Sequence, residues 1–127
     1  MKKLILIFLF SIVMFSSHSY AGWTKVGKSV NGDTFYVDYE RIRKHDGYVY
    51  WLVLLDRLKP SSTGRLSNKI YRQGDCKLFR FKSLSYSFHN EPMGGGTGDT
   101  HNNPDGEWNY PSPGSGNEFA LKQVCNR

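Results

Sequence analysis

The chain has 127 residues, of which 39% are hydrophobic, 15% aromatic and 22% charged, and its formal net charge is +6. This length and composition indicate one globular domain and exclude both a second core of ordinary size and a disordered chain. The two cysteines are too few for an all-cysteine zinc site or a multi-bridge toxin scaffold.

The N-terminal segment has the pattern of a secretory signal peptide. Lys2 and Lys3 precede an apolar run over residues 4–15, which as a helix would measure about 18 Å against the roughly 30 Å hydrocarbon core. Small residues at Ser19 and Ala21 follow, as signal peptidase requires. We expect residues 1–21 to be cleaved, which leaves a single exported domain at residues 22–127. An uncleaved N-terminal anchor is the alternative.

Export determines how the two cysteines are interpreted. In an oxidising compartment an even pair most simply forms one disulfide, so Cys76 and Cys125 are predicted to pair. The bridge closes a loop of about 50 residues, worth on the order of 4 kcal/mol in the chain-entropy model. The alternative, a catalytic or metal-binding thiol, lacks histidine or acidic partners at a suitable spacing.

From residue 22 onward, strand patterns come first and a helical pattern last. Strands are predicted at residues 23–29, 34–39, 48–55, 65–72 and 76–88, with a short helical turn in 39–47. The run 48–55 is apolar on both faces, which is typical of a central strand. Turn signals separate the strands at Asn31-Gly32-Asp33, Asp46-Gly47 and Gly74-Asp75.

The long strand 76–88 changes face along its length. Its apolar residues are odd-numbered at Phe79 and Phe81 but even-numbered from Leu84 onward. One extra residue near Lys82 or Ser83 reconciles the two halves, so a β-bulge and a bent sheet are predicted there.

The C-terminal third is predicted to be a loop followed by one helix. Residues 89–107 are rich in Gly, Asn and Asp and predict a mobile loop, and residues 108–110 predict a short returning strand. Ser115 and Glu118 then form a capping box before a helix whose apolar face carries Cys125. The other members of that face are Ala120, Leu121 and Val124. The prediction is therefore an α+β fold with a bent sheet of about five or six strands and one C-terminal helix pinned on it by the disulfide.

Candidate catalytic and metal-binding residues are few. His45, His89 and His101 lack the spacing of metal ligands on one strand or helix and are predicted to be solvated loop residues. The one alternative is convergence of His89 and His101 with Asp99 and Asp105. The glycines in 94–98 lack the Lys and Ser or Thr of a P-loop. We therefore predict no catalytic residue, no metal and no cofactor.

A carboxylate pair, Asp38 and Glu40, is the remaining candidate for acid–base chemistry. Both stand beside Arg41 and Arg43. The expected role is therefore a salt-bridged, structural one and not that of a glycosidase pair.

Charge distribution is more informative than motifs. Residues 57–82 contain eight basic side chains and one acidic side chain, which favours a polyanionic or acidic protein partner. The alternative is a solvated edge that prevents strand pairing. Nucleic acid is a poor candidate for an exported chain. The candidate partner-binding residues are Arg57, Lys59, Arg65, Lys69, Arg72, Arg80 and Lys82.

Aromatic side chains on the predicted strands suggest a second kind of function. Tyr48, Tyr50, Trp51 and Tyr86 are expected to include exposed rings that need cover. They favour a structural or envelope-interaction protein, for example a homodimer. A small enzyme or inhibitor that uses the glycine-rich loop as a lid is a third hypothesis, which no pair of titratable residues supports.

A series of short motifs runs through the whole of residues 22–127. In order they are Trp23-Thr24-Lys25-Val26, Tyr36-Val37-Asp38, Ile42-Arg43, Trp51, Leu55-Asp56, Ser67, Asp75-Cys76, Leu84, Tyr86, Trp108, Pro113-Gly114-Ser115 and Val124-Cys125. This order resembles the surface-adhesin protein E family of small exported bacterial proteins. The resemblance implies an antiparallel sheet with a C-terminal helix tethered by the Cys76–Cys125 disulfide.

The resemblance also implies a non-enzymatic function. The protein that gives the family its name is an adhesin that binds host extracellular-matrix and plasma proteins. This sequence lacks the cysteine that would anchor a lipoprotein. The expected location is therefore the periplasm or, as a secreted protein, the cell surface, and a periplasmic envelope-interaction protein without host binding is the alternative.

Overall fold

The computed structural model describes residues 22–96, 98–103 and 106–127. Within these ranges seven strands are followed by one α-helix. The elements are β1 (Trp23–Lys28), β2 (Thr34–Asp38), β3 (Arg43–His45), β4 (Tyr48–Asp56), β5 (Ser67–Asp75), β6 (Arg80–His89), β7 (Gly98–Asn102) and α1 (Gly116–Cys125). The predicted signal peptide at residues 1–21 lies outside the described residues.

The strands form one antiparallel sheet in the order β1-β2-β4-β5-β6-β7. Two strands pair with the same edge of β4: β2 pairs with its C-terminal half, and β3 pairs with its N-terminal half. The predicted α+β architecture is confirmed, with slightly more strands than expected. A short 3-10 turn at Tyr39–Arg41 confirms the helical turn predicted within residues 39–47, and β3, which was not predicted, occupies part of the same segment.

The core lies between the sheet and α1, and β4 supplies its centre. Every second residue of β4 points to one face, and Val49, Trp51 and Val53 on that face are at most 2% exposed. They contact the buried helix residues Leu121 and Val124 within one apolar cluster. Trp51, which we expected among the exposed rings, is therefore a core residue, because its odd position on β4 faces the helix.

The helix begins after Ser115, as the sequence predicts. The Ser115 hydroxyl accepts a hydrogen bond from the Glu118 N–H at 3.2 Å. The Glu118 carboxylate accepts from the N–H of Gly114 instead of that of the cap residue, so the capping box closes one residue further out. At the other end Cys125 is bonded to Cys76, with their Cα atoms 5.8 Å apart, which confirms the predicted disulfide.

The turn predicted at Gly74-Asp75 is wrong. Both residues belong to β5, and the chain reverses at residues 76–79. Gly74 lies opposite Val49, and a Cβ atom at this position would lie 2.6 Å from the Trp51 ring. Glycine is therefore required by the close approach of Trp51 on the neighbouring strand β4 and not by a turn.

The predicted bulge is confirmed close to its expected position. Tyr71 pairs with Ser85 while Arg72 pairs with Ser83, so Leu84 is the extra residue on β6. The bulge lets Phe81 and Tyr86 pack on the same apolar cluster although their numbers differ in parity.

The segment 89–107, predicted to be a mobile loop, contains a strand. Its residues Gly98–Asn102 form β7, which pairs along the free edge of β6. Asn109 adds an isolated bridge to Phe81, where a short strand was predicted. All five residues of β7 are exposed, so backbone pairing forms this strand without any hydrophobic pattern.

Candidate functional site

One face of the sheet packs on α1, and the opposite face carries a row of paired side chains across four strands. Arg43 on β3 pairs with Tyr50 on β4, Tyr50 with Gln73 on β5, and Gln73 with Lys82 on β6. Because paired residues in antiparallel strands share a face, this row lies on the side away from the helix. We call this surface the aromatic–basic face and define it by Arg41, Arg43, Tyr48, Tyr50, Leu52, Tyr71, Gln73, Arg80, Lys82 and Trp108.

Two stacked aromatic pairs form the centre of the aromatic–basic face. The rings of Tyr50 and Tyr71 lie 6.1 Å apart at 22°, and those of Tyr48 and Trp108 lie 5.8 Å apart at 29°. The side-chain amide of Gln73 donates a hydrogen bond to the Tyr50 hydroxyl at 3.1 Å. All five side chains are half-buried, so the rings are held in place and still present surface to solvent.

Basic side chains flank these rings on two sides. Arg80 and Lys82 both lie over the Trp108 ring, at 4.4 Å and 4.8 Å from its centre. On the other side of the rings Arg41 and Arg43 line an open depression of about 350 Å³ with Leu52 and Tyr71. A neighbouring depression of about 560 Å³ is lined by Arg43, Tyr50 and Tyr71, together with Lys44 and His45.

The described residues neutralise only part of this positive charge. Arg80 pairs with Asp75 at 3.0 Å, and Arg41 pairs with Asp38 at 3.3 Å. Arg43 and Lys82 make no ion pair within the described part of the chain. The Arg43–Lys82 row therefore has at each end a cation without an acidic partner among the described residues.

Asp75 organises the turn beside this face. Its carboxylate accepts hydrogen bonds from the N–H groups of Lys77 and Leu78, at 3.1 Å and 3.3 Å, and from Arg80. Burial alone would raise the pKa of Asp75, but these hydrogen bonds and the charge of Arg80 outweigh it and hold the pKa below its usual range. The ionised carboxylate thereby fixes Arg80 over the indole of Trp108.

The seven basic residues singled out in the sequence do not form one surface. The end of the sheet where β4 ends and β5 begins carries Arg57, Lys59 and Arg65. The Arg65 side chain packs over the Phe88 ring. Lys69 lies on the helix-free side, but its stem packs against Gly94 in the segment that covers that end. Arg80 and Lys82 belong to the aromatic–basic face.

Arg72 is buried on the opposite side and is removed from the candidate surface. Its side chain is 7% exposed, lies over the Phe81 ring and donates to the Asn117 side-chain oxygen at 2.7 Å. Burial lowers its pKa to about 10, so it stays charged at neutral pH. Arg72 alternates with the core-facing Ile70 and Gly74 along β5 and pairs with buried Trp51, which places its side chain in the packed interior and not on the exposed surface.

The other end of the helix-free side is covered by a loop. Met93 and Gly94 donate backbone hydrogen bonds to the Asp56 carboxylate and the Ser67 hydroxyl, each at 2.8 Å. Leu54 is completely buried beneath this segment. This loop therefore covers Leu54, and beside it a separate open depression of about 370 Å³ is lined by Trp23, Tyr36, Asp56 and Met93.

The histidines and carboxylates do not form the alternatives considered from sequence. The prediction that His89 is solvated is wrong: it is 7% exposed because Gly98 of β7 packs directly on its ring. His101 contacts Phe88 and so faces the other side of the sheet from His89. Asp105 lies outside the described residues. Asp38 forms the structural contacts expected of it, pairing with Arg41 and capping the following turn.

No group of three or more metal-ligating side chains occurs in the ranges that the structure describes. In the same ranges no helix has the length and hydropathy of a membrane span.

Several members of the aromatic–basic face were not identified from the sequence. Tyr48 and Tyr50 were expected to be exposed, and Arg80 and Lys82 were among the basic candidates. Tyr71, Trp108 and Arg43 were missed, because only the strand register brings these three elements together. The alternation of Tyr48, Tyr50 and Leu52 along β4 was the one available signal.

Comparisons with known proteins support one family. A search of curated proteins gives no match. A crystal structure of Haemophilus influenzae protein E, form II, superimposes with a TM-score of 0.66 at 17% identity, covering 87% of this chain and 91% of that one. A second structure of that protein gives 0.65 at 17% identity, with 87% and 88% covered. Protein E from a non-typeable strain gives 0.61 at 17% identity, with 87% and 79% covered.

At this level of identity the structural likeness establishes the fold. The family itself is established by sequence. The sequence model of surface-adhesin protein E matches residues 23–126, almost the whole described domain, and the chain therefore belongs to the surface-adhesin protein E family.

Proposed function

We propose that this protein is an exported adhesin-like binding module that attaches to host extracellular-matrix or plasma components and catalyses no reaction. Family membership supports the adhesin-like role. The observation that carries the proposal is the aromatic–basic face, where two stacked aromatic pairs lie between basic side chains on an uncovered sheet surface. Tyr, Trp and Arg are the residues that most often dominate binding energy at interfaces.

The pair that most resembles a catalytic dyad supports a structural role instead. The Ser87 hydroxyl and His89 Nε2 lie 2.8 Å apart, a distance at which a histidine activates a nucleophile. His89 Nδ1, however, has no hydrogen-bond partner among the described residues. Without a third group to orient the ring, and with the imidazole buried under β7, the pair lacks the arrangement of a catalytic triad.

The first test of the proposal is the location of the protein. External protease is added to intact cells, and an osmotic-shock fraction serves as the control for periplasmic protein. We expect degradation on intact cells. Protection until the envelope is opened would overturn the adhesin role and favour the periplasmic envelope-interaction protein.

The second test concerns the surface that binds. The Arg43→Glu/Lys82→Glu variant reverses the charge at both ends of the Arg43–Lys82 row and is compared with Lys59→Glu, which changes an exposed lysine at the far end of the sheet. Binding to immobilised extracellular matrix is measured by surface plasmon resonance. We expect at least a tenfold loss for the double variant and no change for the control, and equal binding by both would refute the assignment.

A further inference from the structure

We infer that the aromatic–basic face binds a polysaccharide chain that carries sulfate groups, an inference that rests on the proposed function and names the chemistry of its partner. The inference starts from the Arg43–Tyr50–Gln73–Lys82 row. Three inter-strand spacings separate its ends, which places the two cationic residues about 14 Å apart, measured between backbones. A ligand that satisfies both must carry anionic groups repeatedly along an extended chain.

The centre of the row offers stacking surface in place of charge. Tyr50 and Tyr71 form a half-buried pair, and the Tyr50 hydroxyl is oriented by Gln73. The face of an aromatic ring carries partial negative charge and attracts polarised C–H groups, and such groups line the flat faces of sugar rings. A sugar ring on these tyrosines places its substituents outward, toward the flanking cations.

The cations suit sulfate on geometric grounds. Arg43 carries a planar guanidinium that can hold two oxygens of one anionic group at once. It is exposed and has no ion-pair partner among the described residues. Lys82 provides a point charge at the opposite end, and its ammonium lies 4.8 Å from the Trp108 ring centre. An anionic group bound there contacts a cation that is already held in position.

The same face is poorly built for an acidic peptide. The backbone groups of β4 and β5 are paired with neighbouring strands along both edges, so a peptide lying on the face gains no main-chain hydrogen bonds. Peptides that add a strand require a free edge, and amphipathic helices require an apolar groove. Leu52 is the one aliphatic side chain in the face as defined above. A chain that binds through its substituents and ring faces is favoured.

The experiment measures binding of the whole exported chain to heparin, used as the sulfated probe, by isothermal titration calorimetry across a range of salt concentrations. We expect binding that weakens steeply with salt. The Arg43→Gln/Lys82→Gln variant should lose at least tenfold in affinity, and its salt dependence should be reduced by about two counterions, one for each cation removed. Lys59→Gln is the matched control and should behave as wild type.

A second variant separates stacking from charge. Tyr50→Ala should weaken heparin binding about tenfold while the salt dependence stays unchanged, because no ionic contact is lost. Near-ultraviolet circular dichroism and an intact disulfide establish that each variant is folded. An unchanged affinity in both Tyr50→Ala and the double variant would overturn the inference.

Three further probes identify the chemistry of the ligand. Fully desulfated heparin should bind at least tenfold more weakly than heparin. Poly-L-glutamate, or vesicles of phosphatidylglycerol, binding as tightly as heparin and with the same sensitivity to the variants would overturn the inference in favour of an acidic protein or a membrane surface.

The inference and the proposed function fail in different ways. If intact cells expose the protein and it binds matrix equally well after heparinase and chondroitinase digestion, the glycan assignment is refuted and the adhesin role stands. If the protein is protected from external protease but binds heparin through Tyr50 and Arg43, the adhesin role is refuted and the chemistry of the face stands.

Discussion

Asp75 shows how one side chain connects a turn to the candidate site. The carboxylate holds two backbone N–H groups and Arg80, and its pKa lies below the ordinary value near 3.8. A depressed folded-state pKa stabilises the protein above the unfolded pKa, and this stabilisation is lost as the pH falls through the folded pKa. We therefore expect the difference in unfolding free energy between wild type and Asp75→Asn to be constant above about pH 5 and to shrink below about pH 4. Urea denaturation at several pH values measures it, and a difference independent of pH would contradict the assignment.

Substitutions of Arg72 test whether this basic residue of the segment 57–82 contributes to packing or to binding. Its aliphatic stem and guanidinium fill space over Phe81 and beside the helix residue Asn117. Arg72→Ala should therefore cost about 2–4 kcal/mol of unfolding free energy, because it leaves a cavity. Arg72→Met keeps the volume and removes a buried charge without a carboxylate partner, so it should stay within about 1 kcal/mol of wild type. Chemical denaturation of both variants checks this, and a large loss in Arg72→Met would show that the charge itself is required.

Among the secondary-structure elements, helix α1 is the one that a disulfide holds to the sheet. Ala120, Leu121 and Val124 bury one face of α1, and Cys125 ties its last residue to the turn after β5 at Cys76. Replacing both cysteines by alanine opens a loop with a sequence separation of 49 and should lower the unfolding free energy by about 4 kcal/mol. Hydrogen exchange should accelerate most in the last turn of α1, which then frays. The reduced wild-type protein is the control, and a loss below about 1 kcal/mol would show that packing alone holds the helix.

The elements also show where sequence reasoning succeeds and where it stops. The helix, its Ser115 cap and the central position of β4 could be predicted, because local capping and apolar content determine them. Which face of β4 is buried could not be predicted, because the strand is apolar on both faces, and Trp51 was expected on the wrong one. The turn at Gly74 was misplaced because that glycine accommodates Trp51 from another strand. β7 was missed because an exposed polar strand has no periodicity and exists only through pairing with β6. Only some residues of the aromatic–basic face could be predicted, because the strand register determines which side chains lie next to each other on it.

At the scale of the whole molecule, the two sides of the sheet have different roles, and a pair of substitutions separates them. The helix side contains the apolar cluster with completely buried Leu121, so Leu121→Ala should cost about 2–5 kcal/mol. Tyr50 is half-buried on the other side and contributes mainly one aromatic stack and one hydrogen bond, so Tyr50→Ala should cost only about 1–2 kcal/mol. Urea denaturation measures both. A binding surface requires rings and cations that are held in fixed pairs and contribute little to folding. An equal loss of unfolding free energy for Tyr50→Ala and Leu121→Ala would instead identify the face as a second core.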